Sequence, residues 1–277
     1  MNDDLRTAAA DEGETTEAPR PRRKGIYVLP NAITLAALFS GFYAIVMAMN
    51  GRFDVAAIGI FCAAILDSLD GRVARMTNSQ SAFGEQMDSL CDMVNFGAAP
   101  ALIVLEWALK DLGKIGWIAA FVYISAAALR LARFNTNIGV VDKRFFQGLP
   151  SPAAAALVMG LIYVMDDAGF RGVAKIGWLS WTAFGVTLYA GLSMVTNAPF
   201  YSFKVVGGKR TVPFVVLVAI ALGIALISLH PPIALFAVFC AYGLSGYGVY
   251  AWRKLKGKPT SVIAISTDDP DEKGLHP

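Results

Sequence analysis

Charge is scarce in this sequence. Only 16% of its 277 residues are Asp, Glu, Lys or Arg, whereas 56% are hydrophobic. So small a share of polar side chains does not cover a water-facing globule, which excludes an ordinary soluble domain. Histidine is nearly missing, with two residues. His230 stands beside Pro231 and Pro232 in an expected turn and His276 lies near the C-terminus, so chemistry built on imidazole is not expected. The three cysteines, Cys62, Cys91 and Cys240, fall in or beside apolar segments at spacings that suit neither a zinc site nor a disulfide framework. They read as small buried hydrophobes. No nucleic-acid partner is expected.

Long apolar runs are what the chain has in abundance. Stretches of roughly 17 to 25 residues, the length that crosses a bilayer as a helix, recur along most of it. The expected fold is an all-α, polytopic transmembrane helix bundle of about eight spanning helices, over residues 31–49, 53–75, 88–109, 115–134, 152–165, 176–196, 212–229 and 233–252. Turn signals separate them at Asn50-Gly51, Gly148-Leu149-Pro150, Gly207-Gly208 and Pro231-Pro232. Pro150 and Pro152 are expected to set a helix start. Residues 1–25 are charged, lack a long apolar run and end in a Pro-Arg-rich stretch, so they are expected to form a disordered tail. The apolar run that follows continues to Met49, too long for a signal-peptide core, and is expected to stay as the first helix. Residues 26–253 then form the membrane domain, and residues 254–277 a second disordered tail whose basic start touches anionic lipid.

Orientation follows from the basic residues, which are retained on the cytoplasmic side. With the N-terminus inside, 19 of the 24 lysines and arginines fall on inside segments. Both termini, and the connections after the second, fourth and sixth helices, are therefore expected to be cytoplasmic, in the inner membrane of the cell.

The chemistry is concentrated in one stretch. Asp67, Asp70, Gly71 and Ala74 recur at three- and four-residue steps and share a helix face, with Arg75 about two turns beyond Asp67. Gly84, Asp88 and Asp92 form a second stripe at four-residue steps. Two adjacent antiparallel helices would aim four carboxylates at one pocket near the cytoplasmic surface. Like charges at that density repel and resist desolvation, so cations are needed to make the arrangement tolerable. Hard oxygen ligands select Mg2+ or Mn2+, and the cluster is rich enough for two ions. Gly71 and Gly84 remove bulk where a ligand approaches backbone, and Arg75 offers a guanidinium for phosphate. Together these describe a site for a diphosphate in which one phosphoryl centre is attacked.

The whole pattern, Asp67-x-x-Asp70-Gly71-x-x-Ala74-Arg75, eight residues, then Gly84-x-x-x-Asp88-x-x-x-Asp92, resembles the signature of the CDP-alcohol phosphotransferases at every defining position. The resemblance implies that Asp67, Asp70, Asp88 and Asp92 surround a two-metal site. It implies that Asp70, Gly71, Arg75 and Gly84 line the CDP pocket, with Asn31 and Thr34 joining them in holding CDP-diacylglycerol. It also implies that Asp92 takes the proton from the acceptor hydroxyl; spacing alone leaves Asp88 and Asp92 equal as candidates for that base. Relatives of this kind suggest a homodimer embedded in membrane lipid.

The signature does not name the acceptor. The segments around Leu29–Thr34, Arg130–Asn135 and Phe146–Ala153 are similar to those of bacterial and archaeal phosphatidylserine synthases, and eight helices suit that group. The implied acceptor is L-serine. Its carboxylate and ammonium call for a cation and hydrogen-bonding groups beside the metals, and Arg130, Arg133, Asn135 and Gln147 are the candidates. Glycerol 3-phosphate or an inositol phosphate is the alternative acceptor, for which Lys143 and Arg144 would thicken the basic cluster. A divalent-cation transporter is the remaining alternative, but its site is expected at the bilayer midplane within an internal repeat. Here the acidic residues cluster toward one face and no repeat is seen.

Overall fold

The computed structural model describes residues 28–136, 145–170, 177–201, 218, 221–223 and 228–256. Several expectations lie outside these residues: the N-terminal tail, the C-terminal tail beyond Lys256, most of the helix over 212–229, the Gly207-Gly208 turn, and the loop carrying Lys143 and Arg144.

The described chain is mostly helical. Its helices are α1 (Val28–Met49), α2 (Phe53–Met76), α3 (Ala82–Asp92), α4 (Ala99–Trp107), α5 (Lys114–Thr136), α6 (Ser151–Asp167), α7 (Gly177–Val195) and α8 (Pro231–Leu255). A π-helical turn, Met93–Ala98, joins α3 to α4, so that Ala82–Trp107 runs as one rod. Four rods are long and apolar enough to cross a membrane: Val28–Met49, Ala82–Trp107, Lys114–Thr136 and Pro231–Leu255. The 24-residue α2 has the length, but its last third carries Asp67, Asp70, Arg72 and Arg75, the residues singled out for chemistry.

Small residues let the helices approach closely, the usual means of packing where lipid is as apolar as the protein. Gly59 of α2 sits against α1, where a Cβ would lie 3.0 Å from Ala44 Cβ, and Ser40 Oγ donates to Gly59 O at 2.7 Å. Gly191 of α7 sits under Tyr123 of α5, and the Tyr123 hydroxyl donates to Phe96 O in the π turn at 3.0 Å. The core centres on α6, whose residues from Ala153 to Ile162 are all buried. Apolar on every face, this helix is enclosed by its neighbours.

The structure corrects several expectations. The third rod begins at Ala82, not near residue 88, because the Ser81 side chain caps it by accepting from Gly84 N at 3.1 Å. Pro231 and Pro232 open α8 instead of standing in a turn, as prolines do where the first amide has no helical partner. Cys62 is exposed, whereas Cys91 is buried and Cys240 half-buried. Two elements among the described residues are not helical: β1 (Phe145–Gln147) pairs antiparallel with β2 (Pro199–Tyr201). Pro150 caps α6 and Pro152 lies in its first turn.

Candidate active site and metal centre

The site is built where α2 ends and α3 begins. Thr77 caps α2 and Asn78 follows with φ of 51°, a left-handed conformation that asparagine tolerates better than most residues. Ser79 N then donates to Ala74 O at 3.0 Å and Thr77 N to Val73 O at 2.9 Å, which satisfies the last carbonyls of the helix. Five residues, 77–81, suffice to turn the chain before Ser81 caps α3. The eight-residue gap in the sequence pattern is thus a helix stop, a tight turn and a helix start.

This turn brings Asp67, Asp70 and Asp88 together, with one carboxylate oxygen from each within 4.8 Å of the others. Asp70 is 4% exposed. Its Oδ2 accepts a 2.7 Å hydrogen bond from Thr34 Oγ1 of α1. Asp92 lies one turn beyond Asp88, within hydrogen-bonding reach of Asp67 and in the field of Arg130. Its Oδ1 is buried without a hydrogen-bond partner among the described residues. Carboxylates this close, with a buried oxygen left unsatisfied, fit a hard divalent cation, whose ligand shell is built from such oxygens.

Beside the cluster opens a cavity of about 220 Å³. Asn31, Thr34, Asp70, Gly71, Arg75, Gly84 and Asp88 line it, together with Pro30, Ala74, Ser79, Gln80, Ser81 and Glu85. Arg75 folds back over Gly71, its Nη1 3.6 Å from where a Cβ would stand. A Cβ on Gly84 would meet Ser81 Oγ at 3.2 Å and Asn31 Oδ1 at 3.4 Å, so the absence of a side chain keeps the floor of the cavity open. Sequence reasoning missed Ser79, Gln80, Ser81 and Glu85: the first three occupy the eight-residue gap, and Glu85 stands at an undefined position between Gly84 and Asp88.

The residues expected around serine do not form one cluster. Arg130 Nη1 donates to Ser151 Oγ at 2.8 Å, and its charge faces Asp92. Asn135 Nδ2 donates to Ser89 Oγ, next to Asp88, at 3.1 Å. Arg133 and Gln147 converge on a residue that sequence reasoning missed: Asn197 Oδ1 accepts from Arg133 Nη1 at 3.3 Å and from Gln147 Nε2 at 2.9 Å.

Comparison with known proteins gives consistent matches. Residues 27–192 match the family profile of CDP-alcohol phosphatidyltransferase. The chain is 36% identical to the CDP-diacylglycerol--serine O-phosphatidyltransferase of Helicobacter pylori (strain ATCC 700392 / 26695), over 82% of this chain and 92% of that one. It is 33% identical to the Mycobacterium leprae protein of the same name, over 82% and 76%. Among solved structures, it is similar to the Mycobacterium tuberculosis phosphatidylinositol phosphate synthase with CDP-DAG bound, at 16% identity and a TM-score of 0.46, over 68% of this chain and 96% of that one.

Proposed function

Because this chain belongs to the CDP-alcohol phosphatidyltransferase family, we propose that it transfers the phosphatidyl group of CDP-diacylglycerol to L-serine, giving phosphatidylserine and CMP. The observation that carries this reading is the convergence of Asp67, Asp70 and Asp88 beside an open cavity lined by Asn31, Thr34, Gly71, Arg75 and Gly84. The serine acceptor is supported by relatives of that name that align over four-fifths of the chain.

On this reading the diphosphate of CDP-diacylglycerol lies in the cavity, with Arg75 against a phosphate and Gly71 and Gly84 leaving backbone open to it. Asp67, Asp70, Asp88 and Asp92 would hold two divalent ions, magnesium or manganese, and these would neutralise the diphosphate and stabilise charge on the attacked phosphoryl group. The serine hydroxyl attacks the phosphorus that bears the diacylglycerol. An oxygen–phosphorus bond forms there, the bond to the bridging oxygen breaks, and CMP leaves with that oxygen and its electron pair. Asp92 receives the hydroxyl proton. Arg133, with Gln147 beside it at Asn197, holds the serine carboxylate, while Arg130 and Asn135, on the side of Asp92 and Asp88, orient its hydroxyl.

The same reading makes residues 26–253 a catalytic membrane domain of eight spanning helices between two disordered tails. Both termini and the site face the cytoplasm from the inner membrane, and two copies associate as a homodimer among membrane lipids. The excess of basic residues on one set of loops supports the orientation. The test is to give purified protein CDP-diacylglycerol in mixed micelles with L-serine, glycerol 3-phosphate or inositol phosphate, and to identify the lipid product by mass. Phosphatidylserine is the expected product. Preference for either phosphorylated acceptor would refute serine and leave the family intact.

A further inference from the structure

Asn197 lies just beyond the end of α7, 50 residues in sequence from Gln147. The β pair brings the two together. Gln147 stands opposite Pro199, Gly148 N donates to Ala198 O at 3.0 Å, and Leu149 N donates to Ser193 O at 2.9 Å. Gly148, at φ of 78°, packs so closely on Met194 O that no side chain fits there. The segment after α7 is thereby clamped onto the segment before α6. Arg133, on the last turn of α5, reaches the same point, with Nη2 donating to Val195 O at 3.1 Å and Nη1 to Asn197 Oδ1.

Arginine has only donors, so the amide oxygen of Asn197 must be the atom that faces it. That fixes Asn197 Nδ2 on the opposite side, where it has no hydrogen-bond partner among the described residues. The guanidinium of Arg133 has five N–H donors, and two are engaged by Asn197 and Val195. Its remaining donors and the N–H groups of the Asn197 amide make a compact group suited to a carboxylate, with Gln147 bracing the Asn197 oxygen from the other side.

We propose that Asn197 is a positioning residue for the acceptor: by holding Arg133 and Gln147 at one point, it sets the selectivity for an amino alcohol that carries a carboxylate. The proposal rests on the reading of serine as acceptor. Its chemistry separates L-serine from serinol, which has the amine and hydroxyl but no carboxylate.

The experiment uses full-length protein in mixed micelles and measures kcat and KM for wild type, Asn197→Ala, Gln147→Met and the double variant. Asn197→Ala should raise the KM for serine about tenfold, the scale of one to two lost hydrogen bonds. Its KM for CDP-diacylglycerol should stay unchanged, and its preference for serine over serinol should fall by a similar factor. Gln147→Met should raise the serine KM in the wild-type background but add little to Asn197→Ala, because the two act through one contact. Additive effects, or a parallel rise in both KM values, would overturn the proposal. Wild-type turnover with serine tests the acceptor itself. With that turnover present, an unchanged serine KM in Asn197→Ala removes the role of Asn197 alone.

Discussion

Thr34 Oγ1 donates a 2.7 Å hydrogen bond to Asp70 Oδ2, joining α1 to the aspartate-bearing end of α2 across 36 residues of sequence. Both side chains are buried and stand at the wall of the cavity, where the bond ties one helix to the other. Its consequence is orientation: with Oδ2 held from the α1 side, the Asp70 carboxylate is fixed where it faces Asp67 and Asp88. Thr34→Val keeps the shape and removes the donor. Leaving a buried carboxylate oxygen one partner short costs about 1–3 kcal/mol, and the expected readout is a several-fold higher manganese concentration for half-maximal activity. Thr34→Ser should restore the wild-type value. An unchanged metal requirement in Thr34→Val would show that Asp70 is held by other contacts.

The carboxylate cluster makes activity dependent on a divalent ion. Excess chelator is expected to abolish formation of CMP from CDP-diacylglycerol and serine, and added magnesium or manganese to restore it. Asp67→Asn should lower turnover by orders of magnitude, the scale of several kcal/mol of transition-state charge stabilisation by a metal. Full turnover in chelator would rule out the metal reading.

Gly84 separates binding from stability. Alanine in a helix is favoured over glycine by roughly 0.5–1 kcal/mol, so Gly84→Ala should leave the melting temperature unchanged or raise it. Its Cβ, however, would press on Ser81 Oγ and Asn31 Oδ1, both in the cavity lining. The expected result is a several-fold rise in the KM for CDP-diacylglycerol with little change for serine. A loss of thermal stability in step with the loss of affinity would assign the glycine a role in folding instead.

The parts of this site that sequence makes legible are those set by local periodicity. Asp67 and Asp70, and then Asp88 and Asp92, lie at three- and four-residue steps, and any helix places such residues on one face. The start of α3 was misread because an apolar pattern marks helices by their greasy residues, and Gly84, Glu85 and Gln86 offer none. The cap at Ser81 was the available signal. Cys62 shows a second limit: lipid-facing and core-facing positions are both apolar, so hydropathy does not tell one from the other. The π turn Met93–Ala98 has no evident sequence mark, although Asn95 inside it is fully buried with both amide atoms unpaired among the described residues. Asn197 was invisible for a different reason. Its contacts depend on a pairing between segments some 50 residues apart, which no local pattern encodes.

The assignment of the base turns on where Asp92 sits. Asp88 belongs to the tight group with Asp67 and Asp70 and lines the cavity. Asp92 does not line it; it reaches Asp67 on one side and faces Arg130 on the other, and its Oδ1 lacks a partner among the described residues. It therefore stands between the carboxylate cluster and Arg130, one of the residues assigned to the acceptor. A serine hydroxyl is a poor nucleophile while protonated, and a positioned carboxylate that accepts its proton contributes roughly 10²–10⁴ in rate. Asp92→Asn keeps the side chain's size and removes that capacity. It should retain much of the binding of CDP-diacylglycerol, measured by equilibrium binding of the labelled lipid, while losing transfer to serine by that factor. Asp67→Asn should lose both. Near wild-type transfer by Asp92→Asn would move the base to Asp88, the other carboxylate on the same helical stripe.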